Sequence, residues 1–150
     1  MQTQRKQFTH MAPKYFDIPV RIYWEDTDAG GIVYHSNYLK FLERGRTDRL
    51  RSIGFEQNAM KKSGQPIFVV AGIEINYRRP AQLDDMLTVR TRLIGLRRAS
   101  FIFEQKIYRD DQLMTTATVR CASVDPVKGN PVVLPDSIFN SLLPYLDTEN

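Results

Sequence analysis

Hydrophobic and polar positions alternate at the start of the chain. Phe16, Ile18, Val20, Ile22 and Trp24 interleave with Asp17, Pro19, Arg21 and Tyr23. A period of two over this stretch predicts a half-buried strand, with Pro19 suited to its start or to an edge. The spacing then lengthens. Tyr38, Phe41, Leu42, Gly45, Leu50 and Ile53 return at helical intervals, with Ser36 or Asn37 as cap and Gly54 as terminator. Glu43, Arg44, Arg46, Asp48, Arg49 and Arg51 are read as the solvated remainder of that helix. Gly45 falls on its apolar side. Glycine costs about 1 kcal/mol relative to alanine in a helix, so its presence there predicts close approach to whatever the helix covers. A short second helix is expected over Glu56 to Lys62.

From Ile67 the period returns to two. Ile67 to Tyr77 reads as a strand with Ala71, Ile73, Ile75 and Tyr77 on one face. Leu87, Val89, Thr91 and Leu93 mark the next, then Phe101, Phe103, Gln105 and Ile107, then Leu113 to Val124. RRPAQLDD (78 to 85), RDDQ (109 to 112) and DPVKGNP (125 to 131) supply turns. Hairpin spacing implies an antiparallel sheet, and one long helix suffices to cover a face of it, giving an α+β domain. The expected layout is a tail over 1–14, a domain over 15–135 and a C-terminal tail with a short helix over 136–150. Sheet edges left by this layout make a dimer the economical expectation.

Composition adds limits. With 150 residues, the chain fits one domain that needs no disulfide or metal to build a core. Its single cysteine, Cys121, falls in a strand pattern and reads as a small core residue, which suits a reduced, cytoplasmic setting. No apolar run is long enough for a transmembrane segment. The net charge of +4 is dispersed. Arg44, Arg46, Arg49 and Arg51 are diluted by Glu43 and Asp48, so no nucleic-acid partner is expected. Asp26, Asp28 and Gly31 imitate the start of a calcium loop, but Asn37 stands where its last acid belongs. His10, His35 and Cys121 do not make a zinc set. No metal and no cofactor is expected, and neither a hydrolase-type serine elbow nor a P-loop occurs.

The densest chemistry is WEDTDAGGIVYHSNYLKF, residues 24 to 41. Asp26, Thr27 and Asp28 with two glycines make good turn material, and the bland reading is a turn with His35 incidental. Three features weigh against it. Glycines leave room for a substrate, a helix N-terminus offers unpaired N–H groups, and an acid stands just before that terminus. Backbone donors beside a carboxylate suit acyl transfer.

EDTDAGGIVYHSNYLKFLERGRTDRLR, INYRRPAQLDDMLTV and LRRASFIFEQKIY together resemble the hotdog-fold acyl-CoA thioesterases. The likeness is to the 4-hydroxybenzoyl-CoA thioesterase-like family and its Tol-Pal-associated (YbgC-type) branch. It implies an antiparallel sheet wrapped around one long helix, a thioester hydrolase acting on acyl-CoA or on acyl groups of acyl carrier protein, and a homo-oligomer, often a dimer of dimers. By position it implies that Asp28 attacks the thioester carbonyl or activates the water that does. The N–H at His35 would polarise that carbonyl, and the His35 side chain would belong to the site. Gly31 and Tyr34 of the same segment are expected to contact substrate. Trp24 stands where the branch usually has tyrosine, without the phenol hydroxyl. Arg97 and Arg98 stand where basic residues meet the CoA phosphates, and Ser100 would add a hydroxyl contact. A non-catalytic protein that binds carrier protein or scaffolds phospholipid synthesis is the alternative.

Overall fold

The computed structural model describes residues 13–149. His10 and most of the expected N-terminal tail lie outside them. Strand β1 (Tyr15–Arg21) is followed by helix α1 (Asn37–Ser52) and helix α2 (Gln57–Lys62). Strands β2 (Ile67–Tyr77), β3 (Met86–Leu96), β4 (Ser100–Arg109) and β5 (Gln112–Val124) come next, then helix α3 (Asp136–Leu142). The sheet order is β1-β3-β4-β5-β2, every neighbouring pair antiparallel. An antiparallel sheet wrapped on one long helix is the hotdog arrangement, as the sequence led us to expect.

Period two decides which side of each strand faces α1. Leu87, Val89, Thr91 and Leu93 of β3, and Phe101, Phe103, Gln105 and Ile107 of β4, are all buried. Their neighbours Thr88, Arg90, Glu104 and Lys106 fall on the partly solvated face. Gly45 explains how closely α1 seats. A Cβ there would stand 2.9 Å from Gln105 Nε2, Thr91 Oγ1 and Val89 Cγ1. Gln105 ties the layers together, donating to Leu42 O and to Thr91 Oγ1 (both 2.9 Å) and accepting from Arg46 Nη1 (2.9 Å).

Three expectations need correction. Arg46 and Arg49 are buried, not solvated. Arg46 is drawn in by Gln105, and the Arg49 guanidinium lies between the rings of Phe16 (5.6 Å) and Tyr145 (4.4 Å), contacts made by elements far away in sequence. Burial lowers the pKa of both. Next, Ala71 does not share a face with Ile73. The register shifts between Val70 and Gly72, so Ala71 is bulged and Val70 takes the helix-facing position opposite Cys121. Finally, Trp24 is not on the inward face of β1. The strand ends at Arg21, and Trp24 begins a 3-10 turn that leaves it 78% exposed.

The C-terminal segment packs against the same domain. Ile138 and Leu142 of α3 are buried, Leu146 bridges Leu93, and Arg92 pairs with Glu104 (3.0 Å) and Asp147 (3.2 Å). Among the described residues no helix is long and apolar enough to cross a membrane.

Candidate active site

The segment between β1 and α1 is folded by its own acids and glycines. Asp26 is consumed by structure: its Oδ2 accepts from the Tyr23 N–H (2.9 Å) and its Oδ1 from Asn37 Nδ2 (3.2 Å). That locks the 3-10 turn Trp24–Asp26 onto the first residue of α1. A tight loop follows. Asp28 N–H donates to Ile32 O (2.9 Å), Gly31 N–H donates to Asp28 O (3.0 Å), and Gly31 turns the chain at φ +81°. The loop is then pinned to the turn after β2, because Val33 N–H donates to Ala81 O (2.9 Å) and Ile32 bridges Gln82.

Asp28 differs from Asp26 in what it leaves free. Its Oδ1 accepts from the Gly30 N–H (2.8 Å), and among the described residues its Oδ2 has no partner. Gly30 leaves room for this contact, since a Cβ there would stand 3.2 Å from that Oδ1 and press on it. The side chain is exposed.

At the start of α1, Ser36 occupies the cap position but makes no side-chain cap. Asn37 N–H donates to Tyr34 O (2.9 Å). Among the described residues no acceptor is paired with the N–H of His35 or of Ser36. Two donors at the positive end of a sixteen-residue helix therefore remain available to an anionic oxygen. The His35 carbonyl is held from the other side by the Tyr77 hydroxyl (2.9 Å), and the His35 ring meets the Tyr34 ring at 4.5 Å.

A cavity of about 190 Å³ opens here, lined by Ile32, Val33, His35, Tyr38, Tyr77 and the Arg78-Arg79-Pro80 turn. Tyr38 packs edge-on against Tyr77 (5.3 Å), and its hydroxyl accepts from the Ala81 N–H (3.1 Å). Burial pushes the Tyr38 phenol above its usual range, which keeps it neutral.

The expected site residues thus divide into groups. Asp28, Gly31, Tyr34 and His35 share one loop, with Trp24 exposed on the turn before it. Asp28 itself does not line the cavity, although the loop it opens contributes Ile32, Val33 and His35. Arg97, Arg98 and Ser100 lie elsewhere. They form the β3–β4 hairpin, with Arg97 N–H donating to Ser100 O (2.8 Å) and Arg98 O accepting from Leu134 N–H (2.7 Å). The Met86 end of β3 adjoins Arg21 and the candidate site, and the hairpin is at its other end. The eleven residues of β3 span roughly 35 Å, so one chain does not bring this pair to Asp28. The sequence reading missed Tyr38 and Tyr77 as site residues, and it took Arg78 and Arg79 for turn material. Two side-by-side arginines before a proline were the only signal.

Residues 22–142 match the thioesterase-like superfamily. The chain is 44% identical to the acyl-CoA thioesterase YbgC of Haemophilus influenzae, over 82% of this chain and 90% of that one. It is 44% identical to the acyl-CoA thioester hydrolase YbgC of Escherichia coli, over 82% and 92%. Among solved structures, a probable thioesterase from Bartonella henselae superposes with a TM-score of 0.77 at 40% identity, covering 81% of this chain and 99% of the other. A turn that ties one acid to the first residue of a helix and leaves a second with a free oxygen on the loop leading to that helix is therefore set in a fold shared with these enzymes, and the chain belongs to the thioesterase-like superfamily.

Proposed function

We propose that this chain hydrolyses acyl-CoA thioesters to a free acid and a thiol, with Asp28 and the start of α1 acting on one carbonyl. The carrying observation is the free Asp28 Oδ2 on the same loop as the unpaired His35 N–H. In this reading the His35 N–H polarises the thioester oxygen. Asp28 Oδ2 takes a proton from water as that water attacks the carbonyl carbon. The C–S bond breaks, the sulfur leaves with the proton, and the acid remains. Donors preset for the oxyanion account for a large part of such a barrier, since removing one elsewhere costs about 10²–10³ in rate. The activity of the YbgC relatives supports the substrate class.

The working unit in this reading is at least a pair of chains. Strand β2 is an eleven-residue edge whose helix-facing residues Val70, Ile73 and Tyr77 are 50%, 40% and 47% exposed. A long apolar edge of this kind invites pairing. Antiparallel pairing of β2 with its copy reverses the ends, setting the Arg97-Arg98 corner of a second copy at the same end as Asp28 of the first. That supplies guanidinium donors for CoA phosphates, which a single chain holds too far away. A single buried Cys121, raised in pKa by burial, suits a reducing cytoplasm where CoA esters occur.

The test compares wild type with Asp28→Asn on a panel of acyl-CoA and acyl-carrier thioesters, following thiol release. Loss of a positioned proton acceptor lowers kcat by about 10²–10⁴. Equal rates for both proteins on every substrate would remove Asp28 from the mechanism.

A further inference from the structure

The arginines of this chain are mostly committed. Among the described residues, Arg21, Arg46, Arg49, Arg51, Arg90, Arg92, Arg109 and Arg120 each have a protein acceptor for the side chain. Arg44, Arg78, Arg79, Arg97 and Arg98 have none, and of these five Arg78 and Arg79 alone line the cavity that also holds His35, Tyr38 and Tyr77. Two guanidiniums on consecutive residues, neither with a protein acceptor among the described residues, both gain from an anion that enters this cavity.

The surrounding turn keeps them in that state. The N–H groups of Arg78 and Arg79 both donate to Met114 O (2.9 and 3.1 Å), which fixes the backbone where β2 ends. Pro80 follows and restricts Arg79 to extended geometry. An acid at the end of the same turn is engaged elsewhere: Asp85 Oδ2 accepts from Gln82 N–H (2.8 Å) and from Arg109 Nη1 (2.8 Å). Neither arginine is therefore neutralised by its own turn. The contrast with Arg97 and Arg98 is one of place, since that pair sits at the far end of the sheet in the same chain.

We infer that Arg78 and Arg79 are the chain's own phosphate clamp, receiving a phosphate of the thiol carrier while the thioester lies at the start of α1. Arginine suits this because its donor fork matches phosphate oxygens and its charge is permanent. The inference rests on the thioesterase reading and adds a binding element to it. The chemistry recognised is the phosphate ester at the end of a pantetheine arm, part of a diphosphate in CoA and of a phosphodiester in the prosthetic arm of a carrier protein.

The experiment measures kcat/KM of wild type and of the Arg78→Ala/Arg79→Ala variant on three butyryl thioesters: those of CoA, phosphopantetheine and N-acetylcysteamine, the last having no phosphate. The expected result is a fall of about tenfold in the ratio of the CoA value to the N-acetylcysteamine value, carried by KM. The wild-type ratio should decline with added salt more steeply than the variant's. Loss with both CoA and phosphopantetheine esters is the expected pattern and assigns the contact to the arm's own phosphate, whereas loss with CoA alone places it on the nucleotide and overturns recognition of the shared arm. An unchanged ratio overturns the inference while leaving the hydrolase reading intact. So does an equal loss on all three esters, or a fall carried by kcat. Absence of thiol release from wild type with every ester would instead strike the hydrolase reading itself. Arg78→Lys/Arg79→Lys, which keeps the charge, should restore most of the ratio.

Discussion

Helix α1 has two flanks, and the chain treats them differently. Over β1 and β3 it is closed. Gly45 lets the backbone down onto Val89 and Thr91, Arg49 is clasped by Phe16 and Tyr145, and Phe41 is buried. Toward β2 it is open. Tyr38 reaches Tyr77, but Val70, Ile73 and Tyr77 remain substantially exposed on the helix-facing side of the edge strand. The candidate site sits at the mouth of the open flank, with the unpaired donors of His35 and Ser36. One flank is therefore packed within the chain, and the other leaves apolar surface and hydrogen-bond donors exposed.

The comparison can be broken at the open flank first. Ile73→Asp places a carboxylate on the exposed strip, and burying it against a second copy costs several kcal/mol. The expected outcome by analytical ultracentrifugation is a single-chain species with an unchanged far-UV spectrum. A mass identical to wild type would show that this strip is not where copies meet. On the closed flank, Gly45→Val drives methyl groups into Gln105, Thr91 and Val89, all of which already lie at contact distance. Overpacking of this kind costs about 1–3 kcal/mol, and thermal denaturation should show a lower Tm. An unaltered melt would mean that α1 does not press on the sheet there. The smallest effect is at the junction. Tyr77→Phe removes the hydroxyl that holds the His35 carbonyl. One such bond contributes about 0.5–1.5 kcal/mol, so kcat/KM should fall several-fold and Tm should move little. Wild-type kinetics would show that the bond does not position the loop.

Legibility in the sequence followed the range of the interactions. The strands and α1 were readable because alternation and helical spacing are local consequences of one sheet face and one helix stripe being dry. Gly45 was readable because a glycine within a helix stripe has few other uses. The fates of Arg46 and Arg49 were not readable. Nothing near them in sequence announces that Gln105, Phe16 and Tyr145 will surround them. Trp24 continued the alternation on paper, yet the Asp26 carboxylate capped Tyr23 and bent the chain away.

The candidate site shows the same division. The motif between residues 24 and 41 marked a carboxylate near a helix start, and sequence by itself determined that much, because turn residues and helix caps act over a few positions. Which acid is spent and which is free was decided by Asn37 reaching Asp26 and by Gly30 holding Asp28. That Tyr77, Arg78 and Arg79 join this end of the molecule, while Arg97 and Arg98 go to the other, was decided by strand order. Distance in a sheet depends on which strands pair and in what direction, and no local pattern encodes it.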